Sequence, residues 1–159
     1  MIQLRKDTDL AFFLLRHFLK QPKGFQTSAK SLSESLNLPY PTVSKILKVL
    51  NKNSVLESVQ GSKGGYGLGA VYEEFSVGQL IEMIEGPIAL TACTSSTEQN
   101  CVSQAFCGVH PHMELMNRVI RDALMALPLS YLVNKPQRYP KKQEVTAFWK
   151  QYFDEGNRV

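Results

Sequence analysis

Apolar positions along the chain fall into blocks with two different periods. Thr8 to Lys20 holds Leu10, Phe12, Phe13, Leu14, Leu15, Phe18 and Leu19. These cover most of a helical circumference and predict a core helix, ended by Pro22 and Gly24. A second helix opens near Thr27, with Ala29, Leu32 and Leu36 on one face, and stops at Asn37-Leu38-Pro39. A third begins at Pro41, whose missing N–H suits a first helical position. Its Val43, Ile46, Leu47 and Leu50 keep the i, i+3, i+4, i+7 spacing of a buried face, while Pro41, Lys45, Lys48 and Lys52, flanked by Ser44, occupy the opposite one. Two strands follow, Val55 to Gln60 and Tyr66 to Val71, joined by the turn Gly61-Ser62-Lys63-Gly64-Gly65.

Helical spacing resumes at Ser76. Ser76-x-x-Gln79 has the form of a capping box, and Val77, Leu80, Ile81 and Ile84 make an apolar face closed by Gly86-Pro87. A longer helix from Pro111 to Leu127 sets Met116, Ile120, Ala123 and Leu127 at alternating spacings of four and three. That heptad-like seam suits packing against another helix. The seam can be filled within the chain or by a second copy. The helix, tight turn, basic helix and hairpin before this seam have the order of a winged helix-turn-helix, which at this size reads one half-site. A second copy is therefore favoured, because a two-fold dimer matches a two-fold, pseudo-palindromic DNA operator. The tail from Val133 joins a basic segment (Lys135, Arg138, Lys141, Lys142) to an aromatic one (Phe148, Trp149, Tyr152, Phe153), and the sequence assigns it no place.

A lysine stripe on a lone helix is ordinarily a solvated face. Here it belongs to the second of two helices joined by a tight turn, with a hairpin directly after, which is the order of a winged helix-turn-helix. The expected fold is therefore mainly α with a small β-hairpin wing. The expected organisation is a DNA-binding domain over residues 1–86, a cysteine-containing loop over 87–112, a dimerisation helix over 113–132 and a tail over 133–159. On DNA, Lys45, Lys48 and Lys52 suit phosphate contacts, and Tyr40, Thr42 and Ser44 at the helix start suit base edges. The wing tip, Ser62, Lys63 and Gly64, can approach a phosphate or the minor groove closely.

Charge agrees with that reading. Residues 1–70 carry ten Lys/Arg against four Asp/Glu, residues 71–132 two against seven, and residues 133–159 six against three, within a total of +4. A basic front joined to an acidic middle points to an anionic partner, double-stranded DNA first. The length of 159 residues buries a real core without staples. Nothing marks the chain for a membrane or for export. Leu10–Leu15 follows Arg5-Lys6, but Asp7, Asp9, Arg16 and His17 break the run and no cleavage site follows. A reducing cytoplasm is the expected location, and an odd count of three cysteines argues against a paired secreted scaffold.

All three cysteines fall in one polar segment, Thr91 to His112, as Cys93-x7-Cys101-x5-Cys107 followed by Gly108-Val109-His110. Such clustering points to metal ligation. Three thiolates and one further donor complete tetrahedral coordination at zinc or iron, or at the two irons of a [2Fe–2S] cluster. No C-x2-C knuckle is present, and a Cys-Cys-Cys-His finger is missed because His110 falls one residue early and His112 one late. Catalysis by cysteine wants one activated thiol with a fixed base, so an enzyme is not expected.

These residues resemble the Rrf-type bacterial transcription regulators (the IscR-, NsrR- and CymR-like family), and within it the subgroup regulating SUF iron–sulfur assembly. The resemblance spans roughly residues 2–132. It rests on Leu38-Pro-Tyr-Pro-Thr-Val-Ser-Lys-Ile-Leu-Lys48, on Gly61-Ser-Lys-Gly-Gly-Tyr66, and on Ile84-Glu-Gly-Pro-Ile-Ala-Leu90 leading into the cysteines. It implies a homodimeric winged-helix DNA-binding protein, a repressor, whose operator binding is modulated by an iron–sulfur cluster. It also implies that Cys93, Cys101 and Cys107 are the cluster thiolates. His110, three positions after the third cysteine, matches the fourth ligand of one branch. Asp9, in Thr8-Asp9-Leu10 and supplied by the partner subunit, matches another, and Glu98 is a weaker candidate. A zinc-stabilised or cluster-free DNA-binding dimer and a thiol-based redox protein stay open as alternatives. The chain departs from the family at Gln60, where arginine is common, at Met113, where tryptophan often begins the long helix, and in the x7 spacing.

Overall fold

The computed structural model describes residues 3–61, 64–95, 106–133 and 150. Within them lie α1 (Lys6–Leu19), α2 (Ala29–Leu36), α3 (Tyr40–Lys52), β1 (Leu56–Val59), β2 (Gly65–Leu68), α4 (Val77–Glu85) and α5 (His110–Met125). Short 3-10 turns occupy Tyr72–Glu74, Ala92–Thr94 and Leu129–Leu132. This is a winged helix-turn-helix with a long additional helix, mainly α with one antiparallel hairpin.

Local chemistry sets the helix ends. The Ser28 hydroxyl accepts the Ser31 N–H at 3.0 Å, so α2 starts at Ala29 rather than at Thr27. Asn37 closes α2 in the left-handed region (φ 53°), a conformation its short polar side chain tolerates. The Pro39 carbonyl then accepts the N–H groups of Thr42 and Val43, both at 3.1 Å. Helix α3 therefore begins at Tyr40, with Pro41 second rather than first.

Core residues come from every layer: Ala11, Leu14, Leu15 and Phe18 of α1, Leu32 of α2, Val43, Ile46, Leu47 and Leu50 of α3, Val55 and Leu56 at β1, Leu80 of α4, and Leu129. Helix α1 is less enclosed than its composition predicts. Phe13 is 48% exposed, and Leu10, Phe12 and Leu19 are only partly buried. Neighbouring elements cover one stripe of α1, so the remaining apolar residues stand at the rim.

The wing is tied to the helix-turn-helix by backbone. Leu56 pairs with Leu68 and Val59 with Gly65. Thr27 and Tyr66 exchange hydrogen bonds at 3.0 and 2.8 Å, an isolated antiparallel bridge beside β2. This contact demands glycine at 65, where a Cβ would lie 2.5 Å from the Thr27 carbonyl oxygen.

Helix α4 opens with the expected capping box, Gln79 N–H to Ser76 Oγ at 3.1 Å and Ser76 N–H to Gln79 Oε1 at 2.8 Å. It lies along the C-terminal half of α5. Gly78 permits the approach, since a Cβ there would sit 2.8 Å from the Met125 backbone nitrogen. Val77 N–H donates to the Leu127 carbonyl at 2.7 Å, Leu129 N–H to that of Phe75 at 3.1 Å, and Arg121 Nε to Glu82 Oε1 at 2.9 Å. No helix among the described residues is long and apolar enough to cross a membrane.

Leu47 is fully buried. Leu47→Ala is therefore expected to lower stability by about 2–5 kcal/mol, read from urea unfolding at unchanged m. A loss below about 0.5 kcal/mol, the ordinary range for surface substitutions, would mean that this core does not hold α3.

Candidate nucleic-acid interface and cysteine loop

Because α3 buries Val43, Ile46, Leu47 and Leu50, its opposite face must face solvent. Tyr40 is 53% exposed, and Pro41, Lys45, Lys48 and Lys52 are exposed beside it. Thr42 and Ser44 are half-buried at the helix start, less open than Tyr40 beside them. Lys48 and Lys52 have no ion-pair partner among the described residues, whereas Lys45 Nζ lies 2.7 Å from Asp7 Oδ2 of α1. The three lysines are thus not equivalent, a difference the α3 sequence alone does not contain.

At the wing tip, Gly64 N–H donates to the Gly61 carbonyl at 2.9 Å, closing a tight turn. A Cβ at Gly64 would fall 2.1 Å from the Val59 carbonyl oxygen. Ser62 and Lys63, the other expected wing contacts, lie outside the described residues.

The cysteine segment leaves α4 at Gly86 (φ 91°) and is at once fastened to α5. Asn117, the buried residue of α5, accepts the Leu90 N–H at 2.9 Å through Oδ1 and donates Nδ2 to the Ile88 carbonyl at 3.2 Å. Cys93 follows on the Ala92–Thr94 turn, half-buried, with its sulfur 3.2 Å from Thr91 Oγ1. Cys107 stands half-buried just before α5, and its carbonyl accepts the N–H of His110, the first helical residue, at 3.4 Å. Both ends of the loop therefore meet the N-terminal half of α5: Asn117 is seven residues, about 10 Å, from His110 along the helix. Cys101 and Glu98 lie outside the described residues. Among the described residues no three His, Cys, Asp or Glu side chains converge as a metal-holding group, so Cys107 and His110 stand at the head of α5 and Cys93 on the turn that follows Leu90, without forming an assembled set.

Asp9 is exposed on the first turn of α1. The residues around it carry contacts that the sequence patterns do not reveal. Thr8 is fully buried and donates Oγ1 to Glu85 Oε1 at 2.5 Å, and Arg5 donates its N–H to the same oxygen at 2.8 Å. Arg5 Nη2 also reaches the Ile84 carbonyl at 2.9 Å. A cleft of about 370 Å3 between Leu4, Ile88, Ile120 and Leu124 separates this segment from α5. Asn117 was equally hidden in the sequence; a lone amide among Met116, Val119 and Ile120 was its one visible sign.

The profile of the Rrf2 family, described as an iron-dependent transcriptional regulator, matches residues 4–135. The chain belongs to the Rrf2 family. It is 27% identical over 106 residues to the HTH-type transcriptional regulator NsrR of Halalkalibacterium halodurans, covering 67% of this chain and 73% of that one. A putative HTH-type transcriptional regulator of Haemophilus influenzae is 30% identical over 125 residues, covering 79% and 81%. Among solved structures, the global cysteine regulator CymR of Bacillus subtilis superposes with a TM-score of 0.66 over 84% of this chain and 97% of its own, at 19% identity, a likeness of fold. These Rrf2 relatives are transcriptional regulators and not enzymes, and the chain is a transcriptional regulator of that kind. The winged helix-turn-helix and the basic face of α3 accord with DNA binding.

Lys48 is exposed and free of partners among the described residues, so Lys48→Ala is expected to weaken binding about equally on all duplexes and to flatten the log K against log[salt] slope by about 0.9. Fluorescence anisotropy between 50 and 200 mM salt reads both quantities. An unchanged slope would remove Lys48 from the phosphate contacts.

Proposed function

We propose that this Rrf2 regulator is a homodimeric repressor that binds a pseudo-palindromic operator and controls genes for iron–sulfur cluster assembly or related stress responses. An iron–sulfur cluster held by Cys93, Cys101, Cys107 and His110 modulates its operator affinity. One observation carries the reading: the cysteine segment is strung between α4, which packs on the DNA-reading domain, and the start of α5.

The donor chemistry fits such a group. Cys93 and Cys107 are free, half-buried thiols, neither consumed in a disulfide, and His110 stands one helical step from Cys107. The iron-dependent description of the family favours iron over zinc, and so does the lack of a C-x2-C knuckle. His110 is preferred to Asp9 as fourth donor because it shares the helix end with Cys107.

When bound, the cluster supplies a centre whose presence depends on iron, sulfide and oxidants. The chain's own residues do the rest. Asn117 fixes the first part of the loop on α5, Arg121 and Glu82 hold α5 to α4, and Arg5 and Thr8 hold Glu85 of α4 to α1. Order imposed on the loop is passed through these contacts to the placement of α3. A coupling of about 1–3 kcal/mol changes occupancy by about 5–150-fold.

Dimerisation through α5 is supported by its lack of cover. Leu115 and Met116 are 40% and 43% exposed, Ala123 is exposed, and Asn117 alone of the sixteen residues is buried. A second copy supplies the missing face and brings two α3 helices to one two-fold operator.

Anaerobic purification followed by iron, sulfide and zinc analysis tests the cofactor. The expected product is reddish-brown with iron and acid-labile sulfide. Each of Cys93→Ser, Cys101→Ser and Cys107→Ser should lose the colour while keeping the native circular dichroism, and His110→Ala should lose it more readily than Asp9→Ala. A colourless zinc protein, or a metal-free protein with one hyper-reactive thiol, contradicts the proposal.

A further inference from the structure

Lys45 occupies the exposed stripe of α3, yet its ammonium is engaged by Asp7 at 2.7 Å. Asp7 is held where it can do this by its neighbours. Thr8 is fully buried with its hydroxyl on Glu85, and Arg5 bonds the same carboxylate and the Ile84 carbonyl. The head of α1 is thereby fastened to the end of α4, with the Asp7 carboxylate turned to α3. Side-chain exposures of 35% for Asp7 and 67% for Lys45 put the pair at the solvent boundary, where a DNA phosphate could compete for the same ammonium.

We infer that Asp7 is a specificity-determining positioning residue: it withholds Lys45 from DNA phosphates and so lowers sequence-independent affinity. The inference rests on the reading of α3 as the DNA-facing helix. A phosphate oxygen must share the Lys45 ammonium with a carboxylate oxygen already in hydrogen-bonding range, and the Asp7 charge both offsets that of Lys45 and repels the phosphate. An exposed pair of this kind is weak and screened by salt, so it discriminates without locking the helix. Contacts that carry no sequence information are reduced, while Tyr40, Thr42 and Ser44 keep their access to base edges. The basic face of α3 thus presents two free lysines, Lys48 and Lys52, and one held in reserve.

The test uses the 159-residue chain and a random-sequence duplex in a salt titration. Asp7→Asn should raise affinity about five- to tenfold at 0.1 M salt and steepen the log–log salt slope by about 0.9, one added phosphate contact. Asp7→Ser, which keeps a side chain suited to the start of a helix, should do the same, and thermal melts identify any variant that has simply lost its fold. In a Lys45→Ala background the Asp7 substitution should change affinity less than twofold. Glu34→Gln, which removes an exposed acid elsewhere on the helix-turn-helix, should leave the slope unchanged. Two results overturn the inference: no change in affinity or slope with Asp7→Asn, or an equal rise in the Lys45→Ala background. Lys48→Ala separates the two levels. If it leaves binding unchanged, the DNA-facing assignment of α3 itself fails; if it weakens binding while Asp7→Asn is inert, the withholding role alone fails.

Discussion

Burial of the stripe Val43, Ile46, Leu47 and Leu50 under α1 and β1 is the constraint on which the molecule turns. A helix that hides these four residues has no choice about what it shows, and α3 shows Tyr40, Pro41, Lys45, Lys48 and Lys52. The same core also takes in Leu80 of α4 and Leu129 beyond α5, while α5 itself meets α4 through Gly78 and the Arg121–Glu82 pair. Close-packed interiors transmit displacement because they have few voids to absorb it.

Much of this was legible in the sequence. The lysine stripe of α3 is the complement of its apolar spacing, and the Ser76 capping box carries its own start signal. The turn glycines mark the wing. Long-range pairing was not legible. Nothing in α3 announces that Lys45 differs from Lys48, because the difference is an acid 38 residues earlier, brought close only by the packing of α1 on α3. Glu85 reads as the last charge of an amphipathic helix until Thr8 and Arg5 are seen on it. Helix α1 reads as a core helix because composition records how apolar a segment is and not how many neighbours arrive to cover it; Phe13 is left exposed.

The cysteine segment shows both sides of this limit. Its clustering gave the chemistry, and the structure gives the mooring: Asn117 at one end, the head of α5 at the other. Donor type is a local property that spacing records. Convergence of donors is a property of the folded loop, and among the described residues Cys93, Cys107 and His110 do not close into a group. A run of contacts then leads from the C-terminal half of α5 to the basic face of α3, from Arg121 to Glu82, from Glu85 to Thr8 and Arg5, and from Asp7 to Lys45. One step of this route, Arg5 to Glu85, joins the basic front to the acidic middle, so part of the charge asymmetry is used within the fold.

The central claim is that the state of the cysteine loop sets operator affinity. Its most direct test is a paired anaerobic titration of cluster-loaded and cluster-free protein on one footprinted natural operator at fixed salt. The account predicts dissociation constants that differ at least fivefold, about 1 kcal/mol of coupling. Equal constants for the two forms on every natural site would contradict it.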